Sequence, residues 1–119
     1  MELARLVTAD GRNLATVELA STPFTRARGL LGRSGIEPGR ALWLAPCRSI
    51  HTVGMRFAID VVFLDRESSV LTVFEHLGPY RLAWGGWRAR GALEFRAGEA
   101  ARLGLALGLP LRLQPERVP

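Results

Sequence analysis

The feature that most constrains the fold of this chain is an almost unbroken apolar segment near its middle, Phe57-Ala58-Ile59-Asp60-Val61-Val62-Phe63-Leu64. Successive side chains of a β-strand point to opposite faces of the sheet, so a strand of this composition is apolar on both faces. Such strands lie at the centre of a sheet. The one carboxylate, Asp60, must then face the interior or a pocket, where burial is costly unless the group is paired or hydrogen-bonded.

Shorter β-prone segments surround this central strand. Asp10-Gly11 is typical of a tight hairpin turn, and it joins residues 3–9 to residues 13–20. Apolar density predicts the remaining strands, over residues 41–45, 70–74, 92–96 and 111–113. We expect residues 47–54 to be irregular and residues 79–90 to form a mobile loop with an aromatic surface.

Two short helices are predicted beside the strands. Ser21 or Thr22 before Pro23 is typical of a helix start, and apolar residues recur at helical spacing over residues 23–31. The second helix is expected over residues 98–103. Many short strands with two short helices predict an α+β, mostly β fold: a small closed or half-open β-barrel of short antiparallel strands that the helices plug or flank.

The length of 119 residues, 48% of them hydrophobic, allows one core. It predicts a single domain over residues 1–114 and a C-terminal tail over residues 115–119. Charged residues interrupt every apolar run before it reaches the roughly 18 residues that a membrane span needs, so we expect no span. The N-terminus lacks the uninterrupted apolar stretch of a secretory signal, which predicts a cytoplasmic protein.

The formal net charge is +5, and arginine supplies all of the positive charge because the chain contains no lysine. The arginines are scattered from Arg5 to Arg117 and form no continuous basic stripe. A basic balance of this kind is typical of a solvated surface and argues against nucleic acid as a partner. A small molecule or a protein is the expected partner.

Two segments carry a resemblance to a known family. One is similar to the Arg-Gly-Leu-Met-Gly-Arg signature of the DUF192 family and reads Arg28-Gly29-Leu30-Leu31-Gly32-Arg33. The other resembles the central strand of that family and reads Ile59-Asp60-Val61-Val62-Phe63-Leu64-Asp65. Leu93-Glu94-Phe95 and Gly98 are similar to its C-terminal portion, so the resemblance covers nearly the whole chain. It implies a compact β-rich domain without an established biochemical activity.

The chain departs from the family pattern just before the central strand. Many relatives carry Trp-Met-Lys-Asn-Thr there, whereas this chain has the segment His51-Thr52-Val53-Gly54-Met55. Cys47 lies shortly before that segment. Site chemistry that depends on the Trp, Lys or Asn of those relatives is therefore not carried over. This chain has Cys47 and His51 in the place where those relatives have other side chains.

The densest group of reactive side chains lies in this departing segment, Cys47-Arg48-Ser49-Ile50-His51-Thr52. A thiol nucleophile needs a base and a group that orients the base, and Cys47, His51 and Asp60 are the candidates for these roles. The alternative is that the lone cysteine is a small apolar filler with an inert thiol. Zinc sites normally show close pairs of Cys or His, so we expect no metal and no cofactor.

Asp60 also allows a structural interpretation, which we favour over a ligand-binding or acid–base role. In this interpretation its carboxylate pins residues 47–54 to the barrel through their backbone amides, or pairs with an arginine such as Arg28. Trp84 and Trp87 flank Gly85-Gly86 and suit a partner or a flat ligand, although we favour the alternative that they cover the open end of the barrel.

The sequence leads to one main functional hypothesis and two alternatives. The main one is a non-enzymatic binding module whose barrel mouth, residues 47–55 and 80–90, receives a small ligand or a segment of a partner. Its expected ligand-binding residues are Arg28, Cys47, Ser49, His51, Thr52, Asp60 and Trp84. The alternatives are a hydrolase or transferase with Cys47 as nucleophile and His51 as base, and a structural or interaction subunit of a homo-oligomer.

Overall fold

The computed structural model describes residues 2–20 and 35–116 of the chain. This part is mostly β, as the sequence predicts, and it contains nine strands and one short helix. They are β1 (Glu2–Thr8), β2 (Asn13–Ala20), β3 (Arg40–Leu44), β4 (Ser49–His51), β5 (Ile59–Leu64), β6 (Val70–Leu77), β7 (Leu82–Trp84), β8 (Gly91–Arg96), α1 (Glu99–Arg102) and β9 (Leu111–Pro115). No helix in the described part is both long and apolar enough to cross a membrane.

The two predicted helices have different outcomes. The one over residues 98–103 is confirmed as α1, which follows Gly98 at a φ of 96° and carries Glu99 in its first turn and Arg102 in its last. A positive φ is readily adopted by glycine, which explains the sharp entry into so short a helix. The helix predicted over residues 23–31 lies outside the described residues.

Seven strands form one sheet in the order β6-β5-β8-β3-β2-β1-β9. The sheet curls, and its two edge strands approach each other at one end. There the backbone N–H of Val70 donates to the carbonyl of Leu109 at 3.0 Å, and the N–H of Gly108 donates to the carbonyl of Val70 at 2.7 Å. The sheet is thus a curled half-barrel, which corresponds to the half-open form of the predicted barrel.

One strand pair corrects the prediction that all strands are antiparallel. β2 and β3 pair in parallel, with Thr16 opposite Arg40 and Ala20 opposite Leu44. Parallel neighbours need a crossover connection of a dozen or more residues, and the chain is long enough for one because β2 ends at Ala20 and β3 begins at Arg40. The other pairs in the sheet are antiparallel.

The curled sheet separates two apolar clusters. The inner cluster draws on all seven strands of the sheet and on α1: Ala4, Leu6, Ala15, Val17, Ala41, Val62, Leu64, Val70, Leu93, Phe95, Ala100, Leu105 and Leu111. The outer cluster lies on the opposite face and includes Ile59, Val61 and Phe63. β5 supplies alternate residues to each cluster and is buried along its whole length, so the predicted central strand is confirmed.

The outer cluster is covered by a two-stranded antiparallel ribbon made of β4 and β7. Ile50 lies opposite Ala83 in this ribbon, and both side chains are buried against the sheet. The predictions of an irregular segment over residues 47–54 and a loop over residues 79–90 are therefore wrong at the ribbon. Strands of three residues are too short to show the alternation by which strands are recognised, since each has only one inward residue.

Candidate functional site

The ribbon presents its second face to solvent. Because Ile50 and Ala83 point inward, their neighbours along each strand point outward. Ser49 therefore lies opposite Trp84, and His51 lies opposite Leu82, on the exposed side. Three of the predicted site residues, Ser49, His51 and Trp84, thus share one surface. It lies on the outer face of the curled sheet and not at the mouth of the barrel, which corrects the predicted position.

Large exposed apolar side chains concentrate on and beside this surface. The described residues include six such side chains, and five of them form what we call the apolar patch: Val53, Tyr80, Leu82, Trp84 and Trp87. Leu82 and Trp87 are 72% and 79% exposed. Trp84 and Trp87 contact each other edge to face, with ring centroids 5.0 Å apart and planes at 80°. Such an arrangement is favourable for aromatic pairs and fixes the two rings relative to each other.

Thr52 supports one end of the apolar patch from below. Its side chain is fully buried, and its hydroxyl donates to the carbonyl of Gly78 at 2.6 Å and accepts from the N–H of Arg81 at 2.8 Å. The N–H of Tyr80 donates to the carbonyl of Thr52 at 3.2 Å. Thr52 therefore positions the turn that displays Tyr80, and its own side chain is not available to a ligand.

An open cleft of about 680 Å³ lies at the other end of the ribbon. We call it the arginine cleft, and it is lined by Pro46, Cys47, Arg48, Asp65, Arg66, Glu67, Trp87, Arg88, Ala89 and Arg90. Three separate segments build it: the chain between β3 and β4, the turn between β5 and β6, and the chain between β7 and β8. Trp87 belongs both to this cleft and to the apolar patch, so the two features are continuous.

Local hydrogen bonds fix the walls of the arginine cleft. The Arg48 Nε donates to the carbonyl of Trp87 at 3.0 Å, which ties two walls together. Asp65 Oδ1 accepts from the N–H groups of Glu67 and Ser69 at 2.9 and 3.0 Å, so this carboxylate shapes its own turn. The ion pairs that the structure gives between described residues involve Arg12, Arg40 and Arg102, none of which lines the cleft.

Cys47 is half-buried and lines the arginine cleft. Its Sγ donates to the carbonyl of Ser49 at 3.1 Å. His51 is exposed on the ribbon and is not among the residues that line the cleft. The thiol therefore lines the cleft, whereas the imidazole belongs to the exposed ribbon.

Asp60 is fully buried, and backbone amides surround its carboxylate. Oδ1 accepts from the N–H of His76 at 2.8 Å, and Oδ2 accepts from the N–H groups of Gly98 and Ala100 at 3.0 and 2.9 Å. These bonds tie β5 to β6 and to the start of α1. None of these three hydrogen bonds comes from residues 47–54, so the amide donors differ from the predicted ones and belong to β6 and the start of α1.

Glu99 is a second buried carboxylate at the same end of the sheet. It accepts from the N–H of Gly39 at 2.6 Å and from the guanidinium of Arg102, whose Nη2 lies 2.9 Å from Oε1. The hydrogen bond from Arg102 is the main cause that holds the pKa of Glu99 below its ordinary value of 4.5. The same contact raises the pKa of Arg102. Sequence reasoning did not single out Glu99 as a buried group.

The predicted site residues thus divide among several places. Ser49, His51 and Trp84 share the ribbon surface, Cys47 lies in the arginine cleft, Thr52 is buried beneath the turn, and Asp60 holds α1. Arg28 lies outside the described residues. Among the described residues, no group of three or more His, Cys, Asp or Glu side chains is arranged to hold a metal ion.

Two solved structures resemble this fold closely. One, from Sinorhizobium meliloti 1021 and provisionally described as a transcription regulator, is 27% identical, with a TM-score of 0.79 over 96% of this chain and 92% of that chain. Another, a protein of unknown function from Novosphingobium aromaticivorans DSM 12444, is 21% identical, with a TM-score of 0.77 over 92% of this chain and 83% of that chain.

No curated protein matches the chain. The family model of DUF192, described as Uncharacterized ACR, matches residues 5–113. This range includes both segments that resemble the family in sequence and almost all of the described fold. The protein therefore belongs to the DUF192 family.

Proposed function

We propose that the protein is a binding module that receives a segment of a partner protein on the apolar patch. The observation that carries the proposal is the concentration of five of the six large exposed apolar side chains of the described residues on and beside one ribbon. Scattered exposed apolar residues are normal on proteins, whereas a contiguous group marks an interaction surface.

The composition of the apolar patch also favours a protein partner. Tyr, Trp and Arg are the residues most enriched among those that dominate binding energy at protein interfaces. Tyr80, Trp84 and Trp87 supply large rigid rings, and Arg48 and Arg88 lie at the rim. Burial of Trp87 alone would remove most of its exposed ring from water. Each Å² of apolar area buried contributes about 25 cal/mol of favourable free energy.

The shape of this surface favours an extended segment over a small molecule. Small-molecule sites are concave and enclose most of the ligand surface. The patch instead runs along the outside of a two-stranded ribbon, from Val53 and Tyr80 at one end to Trp87 at the other. A peptide segment laid along the ribbon can contact several of these side chains at once.

Within residues 2–20 and 35–116, no comparable arrangement supports the alternative enzyme with Cys47 as nucleophile. A nucleophile acts as the thiolate, whereas one hydrogen bond of the Cys47 Sγ is donated, to the backbone carbonyl of Ser49. His51 lies outside the lining of the arginine cleft, and the Asp60 carboxylate is engaged by three backbone amides. Slow alkylation of the native protein by iodoacetamide near neutral pH is expected, and rapid stoichiometric alkylation would revive the alternative.

The provisional description of the relative from Sinorhizobium meliloti 1021 raises DNA as another partner. The well-known DNA-binding motifs place either a helix or a β-ribbon in a groove of the DNA. The ribbon of β4 and β7 presents Leu82 and Trp84 outward and contains no arginine. The one helix in the described residues, α1, has four residues and is held by Asp60 and Glu99. The exposed surface of the described part therefore favours regulation through a protein partner over regulation through DNA binding.

Affinity capture followed by quantitative mass spectrometry tests the proposed function. The bait is compared with the double variant Leu82→Ser/Trp84→Ser and with a control, Leu107→Ser, which removes the one large exposed apolar side chain of the described residues that lies outside the patch. We expect a defined set of proteins to be retained by the wild type and the control and lost by the double variant. Identical sets for all three baits would contradict the proposal.

A further inference from the structure

The apolar patch and the arginine cleft form one continuous track. Trp87 contacts Trp84 on the patch and also lines the cleft. Arg48 also links the two through its backbone and its side chain, because its carbonyl accepts from the N–H of Gly85 at 2.7 Å and its Nε donates to the carbonyl of Trp87 at 3.0 Å. A segment that follows the ribbon past Trp84 is therefore led into the cleft.

The arginine cleft carries an excess of positive charge. Four arginines line it, Arg48, Arg66, Arg88 and Arg90, against two carboxylates, Asp65 and Glu67. All four arginines are exposed, and none of them takes part in the ion pairs that the structure gives within the described residues. One of the two carboxylates, Asp65, already accepts two backbone N–H groups of its own turn. The cleft therefore offers accessible guanidinium groups to a ligand.

We infer that the segment bound by the apolar patch is acidic, with one or more carboxylates next to its apolar residues. This inference rests on the proposed function and specifies the chemistry of the partner. The planar guanidinium group of arginine matches a carboxylate with two parallel hydrogen bonds, a geometry that lysine does not provide. In the bound state the apolar side chains cover Leu82 and Trp84, and the carboxylates enter the cleft beside Trp87.

The geometry favours an acidic peptide over a nucleic acid. Single strands bind to successive aromatic platforms on which bases stack along a continuous basic groove. Trp84 and Trp87 stand at 80° to each other, so they do not form successive parallel platforms. Leu82 and Val53 are aliphatic and offer no stacking partner to a base, whereas they suit the aliphatic side chains of a peptide.

Selection from a random peptide library displayed on phage tests the inference without any need to know the partner. The full chain is the bait, and the selected peptides are synthesised with a fluorophore and measured by fluorescence anisotropy. We expect the enriched peptides to combine apolar residues with Asp or Glu. Their affinity should fall by several-fold between about 50 mM and about 300 mM salt, because exposed charge pairs are screened.

Two variants locate the charge contribution. Arg66→Gln/Arg88→Gln changes cleft side chains for which the structure gives no hydrogen bond within the described residues, so the fold should be retained. Each exposed ion pair contributes up to about fivefold to affinity, so we expect a loss of about five- to twentyfold for the double variant. Arg112→Gln, an exposed arginine on β9, is the matched control and should change nothing.

The outcomes separate this inference from the proposed function. Peptides that lose binding on Leu82→Ser/Trp84→Ser but carry no acidic preference, or that ignore Arg66→Gln/Arg88→Gln, would overturn the acidic segment and leave the ribbon as a binding surface. Failure to select any peptide that depends on Leu82 and Trp84 would overturn the proposed function itself. Displacement of the selected peptides by a single-stranded oligonucleotide at lower concentration than by free peptide would assign the cleft to nucleic acid instead.

Discussion

Charged residues serve different purposes in two polar regions of this molecule. At one end of the sheet, the carboxylates of Asp60 and Glu99 are buried and accept hydrogen bonds from backbone amides. In the arginine cleft, Arg66, Arg88 and Arg90 are exposed and make none of the ion pairs given for the described residues. The difference indicates that the first region serves stability, while the second remains available for a partner.

Removal of the Asp60 carboxylate should have the largest effect and tests the stability side of the comparison. Asp60→Ala leaves the N–H groups of His76, Gly98 and Ala100 without their acceptor in a buried place, so we expect the free energy of unfolding to fall by about 3–5 kcal/mol. Asp60→Asn keeps one acceptor oxygen, so its stability should lie between those of Asp60→Ala and the wild type. Urea denaturation measures both.

Glu67→Ala is a suitable control, because Glu67 is an exposed acid of the cleft turn. Its effect on unfolding should stay within about 0.5 kcal/mol. A loss below about 1 kcal/mol for Asp60→Ala would mean that the amides find water or another acceptor, and Asp60 would then return as a candidate for ligand binding.

The contact between the ribbon and the outer cluster should be the next most sensitive place. Gly85 packs against Phe63 so closely that a Cβ atom there would lie 2.7 Å from Cε1 of the ring and nearer still to two other ring carbons. Gly85→Ala should therefore push the ribbon away from the outer cluster and cost about 1–3 kcal/mol. Thermal unfolding, combined with peptide binding, separates loss of stability from loss of the surface.

Gly78→Ala is the matched control for this substitution, since a Cβ at Gly78 meets no atom within 4 Å. The control should leave the free energy of unfolding within about 1 kcal/mol of the wild type. If Gly85→Ala behaves like Gly78→Ala, the contact between ribbon and core is looser than described, and the position of Trp84 and Trp87 is not fixed by the sheet.

The two regions also differ in how far their sequence reveals them. The burial of β5 on both faces and the need of Asp60 for hydrogen-bond partners follow from composition, because an apolar strand with one carboxylate has few arrangements. The partners themselves do not follow, since the N–H groups of His76, Gly98 and Ala100 are brought to Asp60 only by the folded sheet.

The ribbon and the arginine cleft are harder to predict. β4 and β7 have one inward residue each, so no alternating pattern marks them. The tryptophans and several arginines of residues 80–90 form a visible group in the sequence, but Arg66 and Glu67 reach the cleft from a turn that shares no sequence pattern with it. Assembly of a site from three distant segments is a property of the topology and is not visible in local spacing.

Acidification provides a smaller and more specific test of the stable region. The pKa of Glu99 is lowered in the folded protein, chiefly by its hydrogen bond with Arg102, so ionised Glu99 stabilises the fold above its ordinary pKa of 4.5. This contribution is lost as the pH falls through the lower folded value. We expect Glu99→Gln to be less stable than the wild type by about 1 kcal/mol at neutral pH.

The difference between Glu99→Gln and the wild type should shrink as the pH falls below 4.5, because the wild type then loses the same charge. Asp10, whose pKa is also lowered, is present in both proteins and cancels in the comparison. A difference that stays constant from neutral to acidic pH would show that Glu99 contributes by packing and hydrogen bonding without its charge.

The smallest effect on stability is expected at the apolar patch. There an unchanged free energy of unfolding would itself support a role in binding. Leu82 is 72% exposed, so Leu82→Ser removes little buried apolar area and should change the free energy of unfolding by less than about 0.5 kcal/mol. Ile50, buried beneath the same ribbon, is the contrasting position, and Ile50→Ala should cost about 2 kcal/mol or more. A surface that can be made polar without loss of stability is kept apolar for something other than folding. If Leu82→Ser unfolds the protein as easily as Ile50→Ala does, the patch belongs to the core, and the ribbon has no claim to be a binding surface.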